Sequence, residues 1–281
     1  MDAMISMNIV RRAGVFIAGL SAAALILAAC SSGGGGSAGG GGSAGTPRTP
    51  RQALLTAATQ AQQMTSATEM LTIHVSGIQS EAMTGTILVQ LKPTLRLGAN
   101  LHLAAAGKST QIKEILTGTA VYFSAASLAR QFGKPWVKIG LSALKGTAGA
   151  SFAQLLHSLQ NSNVSNQAEM LTLAKNARVV GTQTVDGVST TEYAGAINAA
   201  EGLKALPAGF RKALAPELQA LGNSTIRFRV WIDGQHHLRK LTEVVTVNGE
   251  TVNTTVNITA LNQPVHITLP PASQTATRPG L

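Results

Sequence analysis

The chain has 281 residues, 44% of them hydrophobic but only 4% aromatic, so its apolar content is mostly Ala, Leu, Val and Ile, and aromatic platforms for stacking bases or sugars are scarce. The formal charge is +10, spread along the chain with no basic run; nucleic acid and anionic lipid head groups are two partners such charge could meet, and a generally basic surface is the reading favoured over both. One cysteine, Cys30, excludes a disulfide framework and a cysteine-ligated metal site.

Arg11 and Arg12 precede an apolar run from Ala13 to Ala29 that closes on Leu27-Ala28-Ala29-Cys30. A basic start, an apolar middle and small residues before the cut make a secretory signal. Ending on cysteine gives it the form of a bacterial lipobox, in which residues 1–29 are removed and Cys30 is acylated. A membrane-spanning anchor is the competing reading, because a run of about 17 residues sits at the lower edge of a spanning helix. Cys30 and the Gly/Ser-rich stretch after it form a linker over 30–49. Its random-coil span of roughly 25 Å holds a domain within reach of the bilayer. The domain is placed at 50–270 and a disordered tail at 271–281.

Thr49 and Pro50 open a helix that carries Ala53, Leu54, Ala57 and Ala61 at helical spacing to about Met64. The period then becomes two. Leu71, Ile73 and Val75 alternate with Thr72 and His74. Ile87, Val89 and Leu91 follow the same rule, as do Leu95, Leu97, Ala99, Leu101 and Leu103. Gln111–Leu116, Ala120–Ser124 and Trp136–Ile139 continue the strands. Helices are expected at Ser151–Gln160 and Asn166–Lys175, and strands at Arg178–Val185 and Ser189–Ala194 around Asp186-Gly187. Further helices are expected at Ala199–Leu206 and Ala208–Leu221. Strands at Thr225–Asp233, Leu238–Val247, Thr251–Ala260 and Pro264–Leu269 close the domain. The order lacks parallel βαβ alternation, so the fold class is α+β: one large curved antiparallel sheet with helices on a single face.

Three phrases carry a resemblance: Lys134-Pro135-Trp136-Val137-Lys138-Ile139, the hairpin from Val230 to Leu241, and Pro264-Val265-His266-Ile267-Thr268-Leu269-Pro270. They resemble actinobacterial lipoproteins of the LppX/LprA/LprF/LprG type, and the element order is similar, more distantly, to the lipoprotein carriers LolA and LolB. The resemblance covers about 50–270. It implies a half-barrel of antiparallel strands with helices packed on its concave face, and an apolar cavity that holds acyl chains of a lipid or lipoglycan for carriage or presentation. The protein would be lipid-anchored on the extracytoplasmic face of the cell membrane, monomeric, with an envelope transporter as a further partner. The alternative is an envelope sensor or protein-binding scaffold of the same fold without cargo.

The lipid-lining candidates are the apolar faces of five strands: Leu71, Ile73 and Val75; Ile87 and Val89; Leu95, Leu97, Leu101 and Leu103; Val121 and Phe123; Phe228 and Val230. The same residues would serve equally well in a closed core. His236 and His237 beside Asp233, and His74 and His102, read as surface histidines rather than metal ligands. Glu114 reads as a surface charge paired with its neighbour Lys113. Arg227 and Arg229 fall on the face opposite Phe228 and Val230. The Asn-x-Ser/Thr triplets at Asn223, Asn253 and Asn257 read as strand and turn residues. No nucleophile elbow or catalytic constellation occurs, so no enzyme, cofactor or metal is expected.

Overall fold

The computed structural model describes residues 49–61, 63–77, 80–141, 174, 176–205 and 221–278. The signal, Cys30, the linker and, apart from Ala174 and Leu221, the helices expected at Ser151–Gln160, Asn166–Lys175 and Ala208–Leu221 lie outside the described residues.

Twelve strands form one sheet: β1 (Ser66–Ser76), β2 (Glu81–Gln90), β3 (Arg96–Ala105), β4 (Lys108–Leu116), β5 (Ala120–Ala125), β6 (Trp136–Gly140), β7 (Arg178–Val185), β8 (Val188–Asn198), β9 (Thr225–Asp233), β10 (Leu238–Val247), β11 (Glu250–Leu261) and β12 (Thr275–Arg278). Their order is β12-β6-β5-β4-β3-β2-β1-β11-β10-β9-β8-β7. It is two antiparallel meanders, joined where β1 pairs with β11. Only β12 runs parallel to its neighbour, β6. Two-residue turns with positive φ at both positions close three hairpins, at Ala106-Gly107, Asp186-Gly187 and Asn248-Gly249. That geometry matches the twist of the flanking strands.

Three helices complete the described fold: α1 (Pro50–Ala61), α2 (Ala126–Phe132) and α3 (Ala199–Ala205). Thr49 caps α1, its Oγ1 accepting the Gln52 N–H at 3.2 Å, and Pro50 occupies the first turn, where no N–H is needed. The helix ends at Ala61, three residues before Met64, and buries Ala53, Leu54 and Ala57. The expected helix after Ile197 is present as α3. The sequence reading did not anticipate α2, seven residues closed by Gly133 in the left-handed region (φ 68).

Two expectations at the C-terminus are corrected. Pro264–Leu269 is not a strand. Pro264 has no N–H for a ladder, and the segment crosses the outer face of the sheet. There Ile267 occupies the space left by Gly98, where a Cβ would meet Ile267 Cγ2 at 3.4 Å. The stretch expected as a disordered tail is ordered as far as Arg278: a 3-10 turn at Ala272–Gln274 leads into β12, which pairs with Trp136–Ile139. Backbone pairing along the free edge of β6 supplies the hydrogen bonds that composition alone does not reveal.

Candidate functional site

Strand register places the chemistry. Reading across the ladders, Val137, Phe123, Glu114, Ala99, Ile87, Glu69 and Ile258 stand directly opposite one another in a single row. A second row runs Gly195, Phe228, Glu243, Thr254, Ile73, Met83, Leu103. Paired residues project to the same side, so both rows line one face, here called inner.

The thirteen lining candidates all lie in this phase. Leu71, Ile73, Val75, Ile87, Leu101, Leu103, Phe228 and Val230 are buried in one cluster, with Val89, Leu95 and Leu97 packed against it. Leu54 and Ala57 of α1 belong to the same cluster. Val121 joins Leu116 in a smaller cluster with Phe123 beside it, and Leu95 and Leu97 touch both clusters. The apolar surface is therefore continuous from β9 to β5. At two positions it drops side chains altogether. A Cβ on Gly85 would overlap the Asn100 carbonyl, and one on Gly195 would overlap the Phe228 ring. A cavity of about 130 Å³ lies at one end of this face, between the C-terminal end of α1 and β10–β11, bounded by Gln60, Met64, His237, Leu238, Ile258 and Leu261. That volume admits the end of a chain, being below the ~300 Å³ of small-molecule pockets.

Three carboxyl groups interrupt the apolar surface. Glu69 and Glu243 retain 6% and 9% exposure, and Glu114 is half-buried. Burial pushes all three up from the ordinary carboxylate value to about 7. Among the described residues none has a hydrogen-bond or ion-pair partner, and their cross-strand neighbours are apolar or, at Thr254, neutral. Glu69 also follows a register shift between Thr68 and Glu69 against β11, the kind of irregularity that re-aims a side chain.

This corrects the reading of Glu114. Lys113 and Glu114 are neighbours in a strand, so they project to opposite faces and cannot pair. Lys113 lies opposite Asn100 and Ser124 on the outer side. Glu69 and Glu243 were missed, although the signal is in the sequence. Glu69 is in phase with Leu71, Ile73 and Val75, and Glu243 with Leu241 and Val245.

The outer face carries the base. Arg227 and Arg229 are exposed there as expected, with Arg229 Nη1 2.9 Å from Glu192 Oε1. Lys240 stands 4.7 Å over the Trp231 ring, whose N–H donates to Gln183 Oε1 at 2.8 Å. His74 and His102 are exposed. His237 is not a plain surface residue. Its side chain is 20% exposed, and its Nε2 lies 3.3 Å from Gln60 Nε2. Its Nδ1 is enclosed 3.4 Å from Asp233 Oδ2, outside hydrogen-bonding direction. Asp233 itself accepts the N–H groups of Gln235 and His237, each at 2.9 Å, and Arg239 Nε at 2.7 Å. Burial opposes its ionisation, but these donors and the guanidinium charge outweigh it and hold the carboxyl below its ordinary value. Among the described residues, no three His, Cys, Asp or Glu side chains come together as a metal site, and no helix is long and apolar enough to cross a membrane.

The chain is similar in structure to two mycobacterial lipoproteins. LppX of Mycobacterium tuberculosis superposes with a TM-score of 0.46 at 17% identity, covering 78% of this chain and 98% of LppX. LprF of Mycobacterium bovis gives 0.45 at 14% identity, covering 79% and 96%. In sequence, the chain is 29% identical over 154 residues to an uncharacterized 31.2 kDa protein of Streptomyces griseus. That match covers 53% of this chain and spans about half the length of the curated relative, 50%. No family model matches.

Proposed function

We propose that this chain is a cell-envelope lipoprotein, anchored through acylated Cys30, that receives the acyl chains of a lipid or lipoglycan against the inner face of its sheet for carriage or presentation. The observation that carries this reading is the convergence of all thirteen candidates, from five separate strands, on one continuous apolar surface. The lipobox at Leu27–Cys30 and the Gly/Ser stretch after it supply an anchor and the reach to offer that surface to the bilayer. Burying a C16 chain would contribute on the order of 10 kcal/mol at ~0.8 kcal/mol per methylene, before ordering costs. No catalytic group is required.

The test is to purify the full-length protein from a bacterial envelope, analyse co-purifying lipid by mass spectrometry, and titrate it with a fluorescent acyl probe. Stoichiometric lipid, or saturable uptake by lipid-free protein, is the expected result. Protein free of lipid that takes up no probe would overturn the reading. Replacing Cys30 with Ala is expected to move the protein from the membrane to the soluble extracytoplasmic fraction.

A further inference from the structure

An acyl-binding surface needs no carboxyl groups, yet this one has three. We infer that Glu69, Glu114 and Glu243 are hydrogen-bonding posts for oxygen atoms of the ligand, so that the inner face takes a long neutral lipid bearing ester or hydroxyl groups at separated points. This rests on the acyl-binding reading above and narrows it to a ligand class.

Geometry comes first. Glu69 and Glu243 are more than nine-tenths buried and have no hydrogen-bond or ion-pair partner among the described residues. Among fully enclosed side-chain polar atoms of the described residues, only His237 Nδ1 lacks a partner, so the unpartnered glutamate oxygens must border accessible space. Buried polar groups are normally satisfied, and each exception asks for an explanation. A ligand atom is one that fits all three positions.

The spacing constrains that ligand. Glu69 and Glu114 share a cross-strand row three strands apart, about 14 Å at roughly 4.8 Å per strand. Glu243 lies two strands from β1 on the other side, in the row of Ile73, four residues along β1 from Glu69, or about 13 Å. Posts this far apart do not converge on one head group. They match oxygens distributed along an extended molecule.

Charge constrains it further. The groups facing Glu69 are Ile87 and Ile258; those facing Glu114 are Ala99 and Phe123; those facing Glu243 are Phe228 and Thr254. Among the described residues, the remaining charged groups in this phase near these strands are Glu81 at the start of β2, Glu250 at the start of β11 and exposed Lys108 at the start of β4. Arg51, the charged residue of α1, is exposed, and Asp233 is engaged by Arg239 and by backbone N–H groups at the β9–β10 turn. With no cation among the described residues facing them, the three carboxyls are mostly protonated below about pH 6 and about half protonated at pH 7, which makes them donors under mildly acid conditions. A protonated carboxyl donates to an ester carbonyl or a hydroxyl. Bare hydrocarbon leaves it unsatisfied, and the carboxylate of a fatty acid is repelled as the glutamates ionise.

The experiment compares four pyrene-tagged probes of equal chain length, a methyl ester, an alkane, a free acid and a primary amine. Each is titrated into full-length protein in phosphatidylcholine vesicles, with binding read by energy transfer from the protein's two tryptophans. The expected result is ester binding about tenfold tighter than alkane at pH 6, with the gap narrowing by pH 8. Glu69→Leu with Glu243→Leu, which leaves only Glu114, should shrink the gap to about threefold or less while alkane binding persists. Glu69→Gln with Glu243→Gln, which keeps a donor and the side-chain shape, should retain the gap and lose most of its pH dependence, the remainder belonging to Glu114. Equal binding of ester and alkane to wild type, a gap unchanged in the Leu variant, or pH dependence unchanged in the Gln variant would overturn the posts. Amine binding that exceeds ester binding and strengthens with pH would overturn them in favour of a cationic ligand. Absence of binding by every probe would overturn the acyl-binding reading instead.

Discussion

The turn after β9 and the inner face of β10 each bury a carboxyl, ten residues apart, and handle it in opposite ways. Asp233 is surrounded by donors: two backbone N–H groups and the Arg239 guanidinium, the nearest at 2.7 Å. Glu243 is similarly buried and has none among the described residues. The first carboxyl is held below its ordinary value and the second pushed up to about 7. Burial is common to both, so partners decide the sign. Asp233 is thereby a structural group that knots a turn to its own strand. Glu243 is a group the fold leaves unfinished, and the same holds for Glu69.

Removing the finished carboxyl should cost most. Asp233→Ala leaves Arg239 and two N–H groups without their acceptor, and urea unfolding at pH 7 is expected to show a loss of about 3 kcal/mol. A loss under ~0.5 kcal/mol would mean that the turn does not need its carboxylate.

A methyl group introduced beside the unfinished ones should cost somewhat less. Gly85→Ala forces β2 and β3 apart on the inner face, against the Asn100 carbonyl, and about 1–3 kcal/mol of destabilisation is expected. Unchanged stability would show that the two strands have room to separate.

The unfinished carboxyls should behave in reverse. In the unfolded chain they titrate near 4.5, and in the folded protein near 7. Between those values the native state binds more protons than the unfolded state. Stability therefore falls as pH rises from about 4.5 to about 7 and stays at the lower level above. Replacing Glu69 and Glu243 with Gln should flatten that slope and raise stability at pH 8 by on the order of 1–2 kcal/mol. Thermal melts from pH 5 to 8 read both effects, and a wild type that grows more stable over this interval would contradict the assignment.

The exposed pair of Arg229 and Glu192 should matter least. Arg229 is 58% exposed, so solvent screens the ion pair, and Arg229→Ala is expected to change stability by less than ~0.5 kcal/mol. A larger loss would move the outer face out of the solvated class.

Much of the sheet was legible because a two-residue period survives in sequence wherever one face is wet. Leu95, Leu97, Leu101 and Leu103 against Arg96, Asn100 and His102 is the clearest instance, and the structure places them accordingly. Glu69 and Glu243 were hidden by that same clarity, since a polar residue in apolar phase reads as noise until ladder register shows its neighbours. Glu114 was misread because adjacency in sequence stood in for proximity, which a strand denies. α2 was missed because Ala126–Phe132 is too short for a helical period to register. The C-terminal segment was misjudged in both directions. Pro264–Leu269 has the composition of a strand but lies across the outer face, with Ile267 over Gly98, whereas Thr275–Arg278 has an unremarkable composition and the edge of β6 beside it.

The C-terminal strap across the outer face bears on how copies of this protein would meet. An open sheet can grow by strand addition at either margin. Here one margin is β12, four residues long and followed in sequence by Pro279. The other is β7, eight residues, with Val179 and Val180 about half exposed. A short margin offers little purchase for pairing and a longer one offers more. Edge-to-edge association through β7 alone joins two copies about a two-fold axis and then has no free margin of that kind left. By routing its last residues along β6, the chain covers that edge and leaves a four-residue strand at this margin against eight residues at the other.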